Sequence, residues 1–431
     1  MLMAMAQRVG GFCAAFVVVP LCGALTVWLT YALGQQLFGK SVISLSAAAL
    51  VGTSPIFLYQ LMNPMSDVPV AALWAAAVVL AMADWTLLAG VAAGAALMVR
   101  PNLVAVAVAL SVWLALTQRR PVRFLVGLVP FGAAVAAINA SVYESAFVSG
   151  YGTLRELYAW SYWSTNGRQF AMWTASTQTP VVLLAAVYFV APGWFPPARV
   201  PYPRLLLLAV AGAVKASYLF YLPFDAWWYL RFLLPIWPLM MVLTAAAIVA
   251  VAERLTRAAA SVVLVSAALA LAIYGVRVAA QRYAFDIARA ERRYIDVARF
   301  VDSHTDRRAV VLAVQHSGTI RLYAGRLTLR FDQLDPEWLD RAVDFLSGVG
   351  RHPYVVLEAG EKGLFTSRFA GRTASLVGGT PLARLEDADV SVYDALAGTV
   401  GEPLAIADAA SRKTGWRCDV PPVWPPPRRI E

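Results

Sequence analysis

The sequence predicts a polytopic α-helical membrane protein, with about ten transmembrane helices followed by a small C-terminal α/β domain. Three observations carry that expectation. Of 431 residues, 60% are apolar and only 14% are charged, whereas soluble domains carry about a quarter charged. Charge is also unevenly placed. Residues 1–278 hold 15 of the 36 Lys and Arg and 6 of the 26 Asp and Glu, so the remainder holds 21 against 20. A basic surplus confined to the apolar part reads as loop bias around membrane spans, not as a nucleic-acid surface. Finally, the texture changes after residue 278, where long apolar runs give way to amphipathic helix and short strand patterns.

A span needs roughly 17–25 apolar residues, fewer where protein covers it. Candidate spans are 10–35, 41–61, 68–83, 86–100, 102–117, 124–142, 180–195, 205–222, 232–251 and 258–278. The segment 86–117 reads either as one long tilted helix or as two short passes broken at Arg100-Pro101-Asn102. Two passes gather Lys40, Arg119, Arg120, Arg123, Arg199, Arg204, Arg254 and Arg257 on one side, which is then cytoplasmic. One pass splits them, so two passes are preferred.

The protein is then multi-pass in the cytoplasmic (inner) membrane, and both Met1 and the C-terminal domain face outward. No signal-peptide pattern opens the chain. An outward start therefore implies either a helix preceding Met1 or a miscounted span. The segment 143–179, rich in Tyr and Trp, reads as an interfacial amphipathic stretch.

After 278, a helix over 285–303, a strand over 310–314, a helix over 335–348 and strands over 354–357 and 390–393 predict an α/β domain spanning 279–398. The stretch 399–431 is an Ala- and Pro-rich tail. Cys13, Cys22 and Cys418 form no CxxC motif.

Residues 1–278 hold only Asp67, Asp84, Glu144, Glu156, Asp225 and Glu253 as carboxylates. Ionisable groups at membrane edges are costly unless paired or hydrated. The predicted topology puts Asp84 and Glu253 in cytoplasmic turns and the other four outside. Asp67 is either a first-turn acid favoured by its helix dipole, or a base, metal ligand or phosphate-site residue at the outer mouth. Arg100 and Arg231 are interfacial anchors or lipid-phosphate ligands, for which a guanidinium fork is suited. Lys215 lies inside a span, where it snorkels outward or meets a buried anion. His304, His316 and His352 match no metal spacing. His316 opens His-Ser-Gly just after a strand, where α/β domains place ligands. No P-loop, GxSxG or dinucleotide fingerprint is present.

The run Tyr31–Gly39, Ser54-Pro55, Met65-Ser66-Asp67-Val68-Pro69, and Gly90 through Arg100-Pro101 resemble GT-C class membrane glycosyltransferases. That group includes protein O-mannosyltransferases and lipid A aminoarabinose transferases. The run from Ser149 to Gly152, Trp227-Trp228-Tyr229-Leu230-Arg231 with the following Phe-Leu-Leu-Pro, and His316-Ser317-Gly318 with Tyr323 to Arg326 resemble a bacterial branch of it.

The resemblance implies inverting transfer of a sugar from a polyprenyl-phosphate donor at the outer membrane face. The acceptor is an envelope glycan, lipid or protein. It implies a supporting catalytic role for Asp67 near the donor phosphate or metal, and Arg100, Arg231, Lys215 and Tyr229 are the candidate donor-phosphate contacts; Asp225, which precedes the aromatic run that meets Arg231, is the best candidate for a substitute catalytic base. A divalent metal is left open. Such enzymes place a catalytic acid in a first outer loop, and this chain begins after that loop. Two other classes compete: a truncated, non-catalytic membrane protein, and a secondary transporter. A transporter predicts inverted repeats, and none is visible.

Overall fold

A computed structural model describes residues 2–148, 153–255, 259–397 and 401–406. The run from Ser149 to Gly152, Arg257 and the tail beyond 406 lie outside them. The chain divides into two compact units, Met1–Phe285 and Asp286–Glu431.

The first unit is helical. Its helices are α1 (Leu2–Gly10), α2 (Val18–Phe38), α3 (Ser41–Gly52), α4 (Pro55–Leu61), α5 (Asp67–Met82), α6 (Thr86–Val99), α7 (Val104–Leu116) and α8 (Pro121–Tyr143). There follow α9 (Leu154–Leu157), α10 (Tyr162–Gln178), α11 (Val187–Val190), α12 (Pro203–Leu219), α13 (Trp237–Leu255) and α14 (Ala260–Gln281). Prolines punctuate the series, because a proline lacks the N–H that a helix interior needs but fits a first turn. Pro55, Pro121 and Pro203 open α4, α8 and α12. Pro101 holds the preceding Arg100 extended (φ −143°, ψ 91°) and so ends α6. Gly39 closes α2 at φ +63°, the left-handed conformation that suits glycine.

Four helical stretches are long and apolar enough to cross a bilayer: Phe12–Phe38, Pro121–Tyr143, Trp227–Arg254 and Ala260–Gln281. The bent pairs Ser41–Gly52 with Pro55–Leu61 and Tyr162–Gln178 with Pro180–Val190 raise the number to six. Asp67–Met82, Thr86–Val99 and Pro101–Leu116 are apolar but shorter. The ten expected spans are therefore supported by length only in part. The stretch expected to be interfacial holds the 17-residue helix α10. The span expected at 180–195 is instead the second limb of a pair bent by 113° at Thr179-Pro180. Among these stretches Trp227–Arg254 is almost wholly buried and Pro121–Tyr143 almost wholly exposed, which makes α13 the central helix.

Helices α6 and α8 meet through glycines. A Cβ on Gly90 would lie 2.0 Å from the Phe124 carbonyl oxygen, and one on Gly127 would lie 2.4 Å from that of Leu87. Both obstacles are backbone and cannot swing aside, so each glycine permits the close approach that small residues give membrane helices. Gly127→Ala is expected to cost about 1–3 kcal/mol through overpacking, read as a lowered unfolding temperature in detergent. Gly132→Ala, on the same helix with nothing within 4 Å, is the control. Equal melting of the two variants would exclude this contact.

The second unit carries a six-stranded sheet in the order β2-β1-β3-β5-β4-β6. The strands are β1 (Val310–Leu312), β2 (Leu327–Leu329), β3 (Pro353–Glu358), β4 (Ala383–Leu385), β5 (Val390–Asp394) and β6 (Leu404–Ala405). Its helices are α15 (Ile287–His304), α16 (Ser317–Thr319), α17 (Leu339–Gly348), α18 (Ala359–Arg368) and α19 (Arg372–Ser375). β1 is parallel to β2 and β3, while β5 is antiparallel to β3 and β4. Successive strand residues point to opposite faces. Val311, Tyr354 and Val356 thus pack with Val297 and Val301 of α15, whereas Leu312, Val355 and Leu357 pack with Leu339, Val343 and Phe365. Both faces are covered, as parallel strands require.

Candidate functional site

α5 and α6 form an antiparallel hairpin, so the start of α5 and the end of α6 lie together. Asp67 is the first residue of α5 and Arg100 follows the last of α6. Asp67 is 1% exposed. Arg100 donates from Nη2 to Asp67 Oδ1 at 2.5 Å, from Nε to Ser66 Oγ at 3.2 Å, and from Nη1 to the Tyr218 hydroxyl at 3.0 Å. Its guanidinium is thus held on three sides, by α5 and by α12.

Arg231 reaches the same carboxylate from the 3-10 helix Trp227–Ile236, with Nε 3.8 Å from Asp67 Oδ1. That distance is an ion pair and not a hydrogen bond. Its Nη1 lies 3.0 Å from Met65 Sδ, a weak acceptor. Asp67 Oδ2 and Arg231 Nε have no hydrogen-bond partner among the described residues. Two cations and one anion leave a local surplus of one positive charge in a place largely withdrawn from water, where it acts strongly on an incoming anion.

Aromatic rings wall the cluster. The Arg231 guanidinium lies 4.8 Å from the Tyr229 ring centre, and that of Arg100 lies 5.4 Å from Phe232. Phe232 stacks on Tyr218 at 4.6 Å, and Phe224 on Tyr229 at 4.0 Å. Asn166, Phe170, Trp173 and Leu222 close around the same rings and leave no room there for a water molecule. Asn166 is buried and donates to the Tyr218, Leu219 and Tyr221 carbonyls. It thereby satisfies the open end of α12 and fixes Tyr218.

Of the residues singled out from sequence, the structure brings Asp67, Arg100, Arg231 and Tyr229 together. Lys215 and Asp225 are exposed and make no ion pair among the described residues. Lys215 sits one turn before Tyr218 on α12. Asp225 precedes the 3-10 helix that carries Arg231. Glu156 completes a capping box with Thr153, and Glu253 pairs with Lys40 at 3.0 Å. Among the described residues no group of three or more His, Cys, Asp or Glu converges. Sequence reasoning passed over Tyr218 and Phe232. The available signal was a phenol inside an otherwise apolar helix, one turn from Lys215.

Residues 2–143, which include Asp67 and Arg100, match the profile described as dolichyl-phosphate-mannose-protein mannosyltransferase. A search of curated proteins gives no match. Among solved structures the chain is similar to ArnT from Cupriavidus metallidurans bound to undecaprenyl phosphate, with a TM-score of 0.56 and 13% identity over 93% of this chain and 87% of that one. At that identity the likeness is one of fold. The sequence motifs, the profile and the fold agree on a GT-C type membrane architecture.

Proposed function

We propose that the protein transfers a glycosyl group from a polyprenyl-phosphate sugar to a hydroxyl of a cell-envelope glycan, lipid or protein, with inversion. In this reading the reaction takes place at the outer face of the cytoplasmic membrane, and the C-terminal unit lies on that same side. One observation carries the proposal: a buried carboxylate, Asp67, shared by two guanidiniums of which only Arg100 is fully engaged. The similar fold of a protein titled as bound to undecaprenyl phosphate supports the lipid-phosphate part.

The acceptor oxygen attacks the anomeric carbon on the face opposite the phosphate. Its proton passes to a carboxylate base, assigned to Asp225. The bond between the anomeric carbon and the phosphate oxygen breaks, and its electron pair stays on the lipid phosphate. Arg231 meets that growing charge, with the benefit expected of a preorganised cation in a site shielded from water. Arg100 and Asp67 position it. The residues around Asp67 do not suit a divalent metal, since an ion there would meet two guanidiniums. No step is routed through one.

The test is transfer from a polyprenyl-phosphate sugar by the purified protein in lipid nanodiscs. Arg231→Met is expected to raise the apparent KM for the lipid donor by about 10- to 150-fold, as follows from losing a charge-assisted contact of roughly 1.5–3 kcal/mol. Its unfolding temperature should fall less than on removal of Arg100, because Arg231 pairs with Asp67 at 3.8 Å without a hydrogen bond. Unchanged donor kinetics would remove Arg231 from the phosphate site and the main support for the proposal.

A further inference from the structure

A second polar cluster lies in the C-terminal unit and takes no part in the chemistry above. The chain leaves β1 toward β2 on one side and later returns to β3 on the other. The C-terminal ends of β1 and β3 therefore form a switch point, the place where open α/β sheets take ligands. His316 lies just beyond β1, and Glu358 ends β3. α15 brings Arg293 and Tyr294 against them. His316 Nε2 is 3.2 Å from Glu358 Oε1, Arg293 Nε donates to the same oxygen at 3.1 Å, and Arg293 Nη2 donates to the Tyr294 hydroxyl at 2.9 Å. The Tyr294 and His316 rings are 4.7 Å apart.

His316 has no exposed surface, yet neither ring nitrogen has an aligned hydrogen-bond partner among the described residues. A buried imidazole left so is costly and is ordinarily satisfied. Around it, Glu358 and Arg293 are partly exposed, at 21% and 24%, and Tyr294 is half-buried.

We infer that this cluster binds a neutral, hydroxyl-rich ligand: a glycosyl residue. The charge arrangement speaks against an anion. Arg293 and Glu358 neutralise each other, and the amino end of α18 is already closed by the Glu358–Glu361 capping box. Burial works against it, but contact with His316 and Arg293 outweighs burial and holds the Glu358 carboxyl below its ordinary range, so Glu358 is present as a carboxylate acceptor. A sugar hydroxyl donates and accepts at once. Glu358 accepts, Arg293 and Tyr294 donate, and His316 does either according to its tautomer. The Arg293 guanidinium lies 4.5 Å over the Tyr294 ring centre, so Tyr294 enters through its hydroxyl and not as a stacking face. The inference does not rest on the donor site and stands or falls separately from it.

The chain has only three histidines, His304, His316 and His352. The full-length protein labelled at histidine Cε1 therefore gives three NMR signals, assignable with His304→Asn and His352→Asn. Methyl α-D-mannopyranoside and methyl β-D-xylopyranoside are the probes, with inorganic phosphate as the anionic comparison. The expected result is a saturable shift of the His316 signal with at least one glycoside and none with phosphate. Glu358→Gln should weaken that response about tenfold or more, while the His304 and His352 signals stay in place as evidence of an intact fold. If those signals also move, Tyr294→Phe, which removes a single hydroxyl, takes its place and should weaken binding severalfold. A His316 signal that ignores both glycosides, follows phosphate, or responds unchanged in Glu358→Gln and Tyr294→Phe overturns the inference.

Discussion

Arg100→Met is expected to destabilise the helical unit by about 3–5 kcal/mol, the usual consequence of stripping one partner from a buried ion pair. The size follows from what remains. Asp67 is 1% exposed, and among the described residues its close hydrogen-bond donor is Arg100. Arg231 at 3.8 Å compensates in part, which favours the lower end of the range. Ser66 and the Tyr218 hydroxyl lose a donor as well, so the tie between the α5–α6 hairpin and α12 loosens. Thermal unfolding in detergent measures the loss. The decisive comparison is the double variant Asp67→Asn/Arg100→Met. Removing the orphaned carboxylate should return part of the stability, because the charge, and not the lost packing, dominates the penalty. A double variant no more stable than Arg100→Met alone would show that the pair is not the organising element. It would leave the Arg231 prediction without its scaffold.

The parts of this cluster were legible in the sequence for a simple reason. An ionisable residue beside a long apolar run is expensive, so Asp67, Arg100 and Arg231 stand out against their neighbours. Their convergence was not legible. Residues 67 and 100 are brought together by an antiparallel hairpin whose two helices have similar lengths, and that much could be inferred. Nothing local tells that residue 231 arrives at the same carboxylate, since this depends on how the buried α13 packs among its neighbours. Tyr218 was hidden because a phenol in a helix reads as packing until its hydroxyl has a partner. In the C-terminal unit, the apolar runs over Val310, Tyr354 and Val390 announced β1, β3 and β5. β2 and β4 were missed because they are three residues long, and Thr328 and Arg384 at their centres break the apolar pattern. The bounds of α10 are hidden in the sequence because polar residues interrupt its apolar pattern, among them Asn166, which turns inward to cap another helix.

Asp225→Asn is expected to lower kcat for sugar transfer by about a hundred- to ten-thousand-fold, the range for removing a positioned base, with the KM for the lipid donor unchanged. The assignment proceeds through the six carboxylates of residues 1–278. Asp67 is buried and engaged by two guanidiniums, so it has neither access nor freedom to take a proton. Asp84 lies in the turn between α5 and α6, at the far end of the hairpin from Arg100. Glu253 is paired with Lys40, and Glu156 is spent on the cap of α9. Glu144 follows α8, which runs parallel to α6 and so ends on the Arg100 side, and it is the rival candidate. Asp225 is exposed, free of ion pairs among the described residues, and placed just before the 3-10 helix that delivers Arg231. The two groups should therefore divide the kinetics: Arg231→Met acts on the donor KM and Asp225→Asn on turnover. Titrating the lipid donor at saturating acceptor separates the two. Full turnover in Asp225→Asn, with loss in Glu144→Gln, would move the base to the end of α8 and sink the assignment to Asp225.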